Sequence, residues 1–270
     1  MVVDARTGKL LAQIPGMQHA HGVALVPTQH RGYVSNGDGN DISVINTRTF
    51  KVLGHIAVSG KDPDAIIVDP ASGHIIAMDG DSNEISVVDP LAGKEVATIT
   101  VPGNPEFAVT DGRGNLWVNL EDAGTLAHID LNTDTLKNVW SLAPCKGPTG
   151  LAFDPASRRL FSVCANGLMI VTNADNGHRV AQLAIGKHPD AVAYDASLHN
   201  VLSSSGEGVL NVIHQEDADH YRILQNLPTR KSARTLALDP VTHQIFLVGA
   251  KTVGRGKPVH DFGVLVVGRH

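Results

Sequence analysis

The sequence predicts an all-β protein, a β-propeller of four-stranded blades, from three observations. An apolar strand recurs six times, further strand-like segments with turn residues between them follow each copy, and helical periodicity is absent from the 270 residues. Successive copies are 43, 42, 43, 41 and 44 residues apart, and they begin at Ala20, Pro63, Pro105, Pro148, Pro189 and Ala233. A repeat of about 40–45 residues is typical of one propeller blade.

Each repeat has the same internal order, which the second repeat illustrates. Strand A contains Ile66 to Val68 and is apolar, as expected of a strand that is covered on both faces. The turn DPASGH leads to strand B (Ile75 to Asp79) and then to strand C (Glu84 to Asp89). The turn PLAGK leads to strand D (Glu95 to Val101). Asp, Pro and Gly supply the turn chemistry.

We predict a single propeller domain over residues 1–270. Its repeat units are at about 20–62, 63–104, 105–147, 148–188, 189–232 and 233–270. The last unit supplies strands A, B and C, and we expect residues 1–15 to add the fourth strand and close the ring, which removes exposed strand edges. Six blades are preferred. The alternative is a seven-bladed propeller with an incomplete blade.

Composition limits the classes of function. The net charge of −5 and the aromatic content of 4% argue against nucleic-acid binding, because a basic surface and stacking platforms are both lacking. No apolar run reaches membrane-spanning length, so we expect no membrane insertion. We expect no nucleotide, flavin or quinone cofactor, since there is no phosphate-binding loop and Trp117 and Trp140 are the only tryptophans.

The starts of the strands A are the predicted functional site. In a propeller the linkers from strand D to strand A surround one mouth of the central channel. The first residues after each linker that face this mouth are His21, Asp64, Glu106, Thr149, Asp190 and Arg234. Two positions earlier, on the same side of an extended chain, are His19, Asp62, Asn104, Gly147, His188 and Ser232. Acidic, imidazole and guanidinium groups should therefore converge on one opening.

These residue types favour a ligand or metal site. Carboxylates with a few nitrogens suit Ca²⁺, Mg²⁺ or Mn²⁺, and the histidines also admit Zn²⁺. The predicted metal ligands are His21, Asp64, Glu106 and Asp190. The predicted ligand-binding set is His19, His21, Asn36, Asp64, Glu106, Glu121, Asp190 and Arg234. For each side chain the alternative is a structural role, either capping a neighbouring linker or binding channel water.

Two loop features accompany this site. The loops from strand B to strand C contain the acidic segments NGDGND, DGDSNE and LEDAG. The first two resemble calcium loops without their fixed spacing, so turn chemistry is the preferred explanation. Ala250 to Asp261 is the one long insertion, expected to be a lid, a partner-binding element or a disordered loop. Basic residues gather around it, namely Arg230, Lys231, Arg234, Lys251, Arg255 and Lys257.

The two cysteines lie in one repeat. Cys145 is in a linker from strand D to strand A, and Cys164 is at the end of the next strand B. We predict a disulfide between them, which would pin the linker to its own blade, and two buried thiols are the alternative.

The segment Tyr33 to Asn36 has the sequence YVSN at the end of a strand B, and NDISVIN and TFKVLGHIAVSGKDPDAI follow it. With these segments the chain resembles the YVTN-repeat β-propellers, the YncE-like proteins of bacteria, over essentially its whole length. The resemblance implies a propeller that is often seven-bladed and usually exported, hence periplasmic or secreted. No secretory signal follows Met1, which is what we expect if the reading frame is shortened. The cellular compartment is therefore undecided at this point.

The resemblance implies a binding module that engages a small ligand, a divalent metal or a protein partner at the channel mouth. The alternative is a metal-dependent lyase or lactonase. In that chemistry a cation polarises a carbonyl group while His21, His188 or Glu106 moves a proton. The residues do not decide between binding and catalysis, and they name neither the ligand nor the oligomeric state.

Overall fold

The computed structural model of the chain describes residues 1–252 and 259–268. These residues form 25 β-strands and two short 3₁₀ helices, Pro27–Gln29 and Gly80–Ser82. The strands build a six-bladed propeller of antiparallel blades, which confirms the predicted fold class. No helix in the described part of the chain has the length and apolar character needed to cross a membrane.

The chain divides into two compact units, Met1–Val139 and Trp140–His270. The first unit begins with the hairpin β1 (Val2–Val3) and β2 (Leu10–Ala12). Blade 1 is β3 (Ala20–Val26), β4 (Arg31–Asn36), β5 (Asp41–Asn46) and β6 (Val52–Ala57). Blade 2 is β7 (Pro63–Val68), β8 (Ile75–Asp79), β9 (Glu84–Asp89) and β10 (Lys94–Thr100). Blade 3 is β11 (Pro105–Thr110), β12 (Asn115–Leu120), β13 (Thr125–Asp130) and β14 (Thr135–Ser141).

The second unit contains the remaining blades. Blade 4 is β15 (Pro148–Asp154), β16 (Arg159–Cys164), β17 (Leu168–Asn173) and β18 (Arg179–Ala184). Blade 5 is β19 (Pro189–Asp195), β20 (Asn200–Ser205), β21 (Val209–Gln215) and β22 (Tyr221–Pro228). Blade 6 is β23 (Thr235–Leu238), β24 (Ile245–Thr252) and β25 (Val259–Val267). That residues 1–270 form a single domain stays a prediction.

The N-terminal hairpin repeats the turn between strands C and D. Gly8 N–H donates to Asp4 O as Gly93 N–H donates to Asp89 O, and both glycines have positive φ, 71° and 66°. β2 is hydrogen-bonded to β1 in a sheet of two strands, and the sheet of β23, β24 and β25 has three in the described residues. Completion of the last blade by residues 1–15 stays a prediction.

The predicted insertion in the last blade is shorter than the sequence suggested. β24 continues to Thr252 and β25 begins at Val259, so strand replaces loop at both ends of the segment. Residues 253–258, with Arg255 and Lys257, lie outside the described residues. The expectation of a loop over Ala250–Asp261 is therefore wrong for the two ends, because strands B and C of this blade extend beyond those of the others.

A register shift lies near the start of strand A. In blade 2, Pro63 pairs with Asp79, and regular pairing resumes at Ile66. Blades 1, 3, 4 and 5 have an equivalent shift. A bulge bends the strand and re-aims the extra residues. His21, Asp64 and Glu106 lie inside these bulges, which places them at the start of the blade instead of in its regular ladder.

Neighbouring blades pack through apolar faces. Tyr33 and Ile42 of blade 1 share one buried cluster with Ile66 and Ile75 of blade 2. Burying an isoleucine side chain contributes about 1.5–3 kcal/mol. Val23 has the same repeat position in blade 1 as Ile66 in blade 2, yet Val23 is 58% exposed and Ile66 is 6% exposed. Blade 1 therefore buries one face against blade 2, and the residue of blade 1 that corresponds to Ile66 is exposed.

An aspartate at or just after the end of strand A connects one blade to the next. Its carboxylate accepts a hydrogen bond from a side chain of the following blade, in the pairs Asp69 with Thr110 (3.0 Å), Asp154 with Gln215 (3.1 Å) and Asp195 with His243 (2.7 Å). The same carboxylates cap their own turn, as Asp69 does by accepting from Ser72. The aspartate of the DP or DA turn thus caps the turn of its own blade and also binds the next blade.

Candidate functional site

The residue before strand A has an unusual backbone in blades 1 and 2. His19 and Asp62 adopt the left-handed conformation, with φ of 58° and 55°. This conformation costs a non-glycine residue about 1–2 kcal/mol because Cβ crowds the following carbonyl oxygen. Gly37 N–H donates to His19 O, and Gly80 N–H donates to Asp62 O, each at 3.0 Å. The end of strand B therefore holds both residues in place.

This backbone brings two histidines and an aspartate together. His21 Nε2 lies 3.1 Å from His19 Nδ1 and 3.5 Å from Asp62 Oδ1. The three potential ligand atoms lie within 4.8 Å of one another. The two imidazole rings meet edge to face, with their centroids 4.3 Å apart. A cluster of this composition and spacing suits a metal ion.

Two further carboxylates flank the cluster. Asp64 Oδ1 lies 3.3 Å from His21 Nδ1, and Asp38 Oδ1 lies 3.8 Å from His19 Nδ1. When His21 is neutral and protonated on Nδ1, its N–H points to Asp64 and its Nε2 lone pair points to His19 and Asp62. That arrangement directs two acceptors, His21 Nε2 and Asp62 Oδ1, at one another, and either an N–H donated by His19 Nδ1 or a cation between the atoms stabilises it.

The cluster borders a surface cleft. The cleft has a volume of about 350 Å³ and is lined by His19, Gly37, Asp38, Asn40, Lys61, Asp62 and Asp81. Gly37 leaves space beside the ligand atoms, since a Cβ there would lie 2.1 Å from Asp62 Oδ1 and 2.9 Å from His21 Nε2. Lys61 adds a positive charge to an otherwise acidic rim.

Other predicted site residues of the first unit lie outside this cluster. Asn36 is buried, and its amide donates to Asp41 and Ser43 of its own blade. Glu106 is the second residue of β11 and is half-buried. Glu121 follows β12, and its backbone N–H donates to Asn104 O at 2.9 Å. Their predicted roles in binding stay predictions.

The second unit holds the remaining predicted residues. Asp190 Oδ2 lies 3.5 Å from Arg234 Nε, and burial raises the pKa of Asp190 although Arg234 opposes the shift. His188 precedes β19 with a φ of 53°, as His19 precedes β3. Thr149 donates to Pro189 O at 3.0 Å, which is a structural role. The predicted metal set of His21, Asp64, Glu106 and Asp190 spans both units and stays a prediction.

Loop side chains near the cluster cap linkers. Asn40 Oδ1 accepts from Asp62 N–H at 3.0 Å, and Asp122 Oδ1 accepts from Asn104 N–H at 2.8 Å. Polar residues of the loops between strands B and C are therefore used as backbone acceptors, in keeping with the preference for turn chemistry over calcium loops.

A disulfide joins Cys145 to Cys164, with Cα atoms 5.5 Å apart. It connects the linker before blade 4 to the end of β16. The bond restrains the same part of the blade that carries the cluster in blades 1 and 2.

Sequence reasoning missed several residues of the cleft. Asp62, Gly37, Asp38 and Lys61 are absent from the predicted ligand-binding set, although the sequence places Asp62 at the channel mouth and at the same repeat position as His19. The signal that identifies Asp62 is this shared position, one residue before the start of strand A. No comparable sequence signal identifies Gly37.

Comparison with known proteins supports the fold alone. No protein-family profile matches the chain, and no curated protein matches it. Among solved structures, a chain of Kuenenia stuttgartiensis hydrazine synthase superposes with a TM-score of 0.73 at 15% sequence identity. The match covers 89% of this chain and 80% of the other. At this identity the likeness extends to the architecture and not to the chemistry of the site.

Proposed function

We propose that this propeller is a binding module of the YncE-like type. Its binding site is the cleft of blades 1 and 2, where a divalent metal ion holds a small ligand. The observation that carries the proposal is the convergence of His19, His21 and Asp62, whose ligand atoms lie within 4.8 Å of one another. Backbone hydrogen bonds, from Gly37 N–H to His19 O and from Gly80 N–H to Asp62 O, already hold these linkers, so the linkers do not depend on the three side chains.

The charges around the cleft indicate the class of ligand. A bound divalent ion and Lys61 would both attract an anionic group, whereas Asp38 and Asp81 would repel a ligand without a cation beside it. A small carboxylate that coordinates the metal and contacts Lys61 fits these charges. A protein partner presenting an acidic side chain is the second form that such a ligand can take.

The experiment measures metal and ligand binding by the whole chain. Protein purified without chelator is analysed for bound metal by mass spectrometry, and its melting temperature is followed with divalent ions, with small carboxylates and with both. We expect carboxylates to raise the melting temperature in the presence of metal. His21→Ala should abolish the response, and His30→Ala, a histidine outside the cleft, should retain it. An unchanged response in His21→Ala would overturn the proposal.

A metal-dependent lyase or lactonase is the second candidate function. It is favoured by the number of ligands, because three protein ligands with an open fourth position are typical of catalytic zinc sites. Turnover of a lactone panel that chelator abolishes and metal restores would support it. Binding of carboxylates without any turnover would contradict the enzyme and support the binding module.

We also propose an extracytoplasmic location, either periplasmic or secreted. The Cys145–Cys164 disulfide supports it, since such bonds persist in oxidising compartments. Reaction of the native protein with a thiol reagent before and after reduction, in extracts of the separated compartments, tests this location. Free thiols in the freshly isolated protein would contradict it.

A further inference from the structure

We infer that the cluster of blades 1 and 2 is a mononuclear site for a zinc-class ion, with His19, His21 and Asp62 as ligands and Asp64 as the residue that orients His21. This inference rests on the proposed function and names the kind of metal that the site takes. It differs from the calcium and magnesium chemistry that an acidic channel mouth suggests.

The spacing of the ligand atoms fits tetrahedral coordination. With metal–nitrogen and metal–oxygen distances of about 2.0–2.1 Å, two ligands of a tetrahedral zinc ion lie about 3.3 Å apart. His21 Nε2 lies 3.1 Å from His19 Nδ1 and 3.5 Å from Asp62 Oδ1. The remaining separation, between His19 and Asp62, is at most 4.8 Å, and His19 has an exposed side chain with room to turn.

Gly37 supplies the space in which the ion would lie. A Cβ on Gly37 would be 2.1 Å from Asp62 Oδ1 and 2.9 Å from His21 Nε2, close to the position that a bound metal would take. Its φ is not in the left-handed region, so the backbone does not demand glycine here. A Cβ at this position would displace the Asp62 carboxylate or the His21 imidazole, so glycine is what allows these two proposed ligands to meet.

The donor set selects the class of ion. Two of the three ligand atoms are imidazole nitrogens, which zinc, cobalt, nickel and copper accept readily. Calcium takes six to eight oxygen ligands, and magnesium requires an octahedral shell dominated by oxygen. One carboxylate within reach of two imidazoles supplies neither shell. The acidic groups at the rim change the local charge and do not change this preference.

Asp64 lies beside the other ring nitrogen of His21, the one that does not face the proposed ion. A histidine that binds metal usually directs its other N–H to a carboxylate, which fixes the tautomer. Asp64 Oδ1 lies 3.3 Å from His21 Nδ1, so the opposite nitrogen, Nε2, is the one presented to His19 and Asp62. Asp64 is thus a positioning residue. The group has three ligands, so a tetrahedral ion would keep a fourth position for an exchangeable ligand, beside the exposed Asp38.

The strained backbone at His19 and Asp62 supplies a sharp test. Glycine adopts the left-handed conformation without cost, so His19→Gly and Asp62→Gly should not lower the melting temperature of the metal-free protein and should raise it slightly. Both changes should abolish metal binding. His30→Gly is the matched control, because His30 is a left-handed histidine of the same blade, with a φ of 52°, outside the cleft.

The experiment is a titration of chelator-treated full-length protein with Zn²⁺, Co²⁺, Ca²⁺ and Mg²⁺. Calorimetry gives the stoichiometry, and the visible absorption of bound Co²⁺ reports the coordination geometry. We expect one Zn²⁺ or Co²⁺ per chain and no displacement by excess Ca²⁺ or Mg²⁺. His19→Gly, Asp62→Gly and Gly37→Ala should lose binding, His30→Gly should retain it, and Asp64→Asn should weaken it by about 10–100-fold.

The outcomes separate this inference from the proposed function. Binding of Ca²⁺ or Mg²⁺ in preference to Zn²⁺, lost in Asp62→Gly, would overturn the zinc-class inference and leave the binding module standing. Zinc binding that survives both glycine variants would place the ion elsewhere and overturn the inference as well. If no divalent ion binds, the inference and the metal-dependent proposed function fail together, whereas a preference for Ca²⁺ or Mg²⁺ at the same residues overturns the inference alone.

Discussion

Asp79 Oδ2 and the hydroxyl oxygen of Ser86 lie 2.7 Å apart in the interior of blade 2. The same hydroxyl lies 2.8 Å from Glu95 Oε1. A hydroxyl has one proton, so it can donate to only one of these carboxyl groups. Both contacts are hydrogen bonds only if one of the two carboxyl groups carries a proton, and when it is Asp79, Asp79 donates to Ser86 and Ser86 donates to Glu95. Burial, together with the charges of Glu95 and Glu84, raises the pKa of Asp79 to about 7, although the hydrogen bond from Ser86 opposes the shift.

The first prediction concerns the pH dependence of stability. Because the pKa of Asp79 rises from 3.8 unfolded to about 7 folded, the folded state retains a proton that the unfolded chain releases. Stability should therefore fall as the pH rises from about 4 to 7 and stay level above that range. Asp79→Asn, which cannot ionise, should remove the fall and be more stable at pH 8, by at most about 4 kcal/mol.

Urea unfolding at pH 5 and pH 8 measures this effect. The exposed Asp81, in the same blade, provides the control variant Asp81→Asn, which should keep the pH dependence of the original chain. Equal pH dependence in Asp79→Asn and the original chain would show that Asp79 ionises normally in the folded protein.

The second prediction compares two residues with the same repeat position. Ile66→Ala should lower the free energy of unfolding by about 2–5 kcal/mol, because it opens a cavity between blades 1 and 2. Val23→Ala should cost less than about 1 kcal/mol, because Val23 is 58% exposed. Denaturant titration of both variants gives the comparison. A cost at Val23 as large as that at Ile66 would mean that another surface covers the Val23 face in solution.

The third prediction concerns the hydrogen bond between blades 5 and 6. Asp195 accepts from His243 at 2.7 Å and also caps its own turn. Burial raises the pKa of Asp195, but the hydrogen bonds from His243 and Ser197 outweigh it, and the pKa is lowered overall. Its contribution to stability should therefore be complete above pH 3.8 and be lost as the pH falls through the lower folded value.

The variant Asp195→Asn should cost about 1–3 kcal/mol at pH 7, since a buried charged hydrogen bond is weakened. Asp239→Asn is the matched control, because Asp239 caps the equivalent turn of blade 6 through Val241 and Thr242. Thermal unfolding of both variants isolates the contact between blades as the difference in cost. Equal losses of stability in the two variants would mean that Asp195 acts only as a turn cap.

The fourth prediction concerns the disulfide. Cys145 and Cys164 are 19 residues apart in sequence, and closing a loop of this length contributes about 3 kcal/mol to stability by restricting the unfolded chain. The double variant Cys145→Ser, Cys164→Ser should lose about this amount. Reductant should lower the melting temperature of the original chain and leave that of the double variant unchanged. A drop of equal size in both would indicate an effect of the reductant itself.

The order of strands and the repeat were predictable because they depend on local chemistry. The apolar strand A appears six times, the five spacings all lie between 41 and 44 residues, and an Asp-Pro turn follows strand A in three repeats, so weak signals reinforce one another. The blade order A to D follows because each short turn joins adjacent antiparallel strands. The long strands of blade 6 departed from expectation, since nothing in the composition of Ala250–Thr252 opposes a loop.

The sequence by itself determined the repeat, the number of blades and the polar residues at the start of each strand A. Only the tertiary structure decided which of those residues meet. His19 and Asp62 approach His21 because both have a left-handed backbone held from the end of strand B, and because a bulge turns His21 and Asp64 out of the ladder. Side-chain alternation along a strand predicts a face, but it cannot encode these local rotations, which hydrogen bonds between distant residues impose.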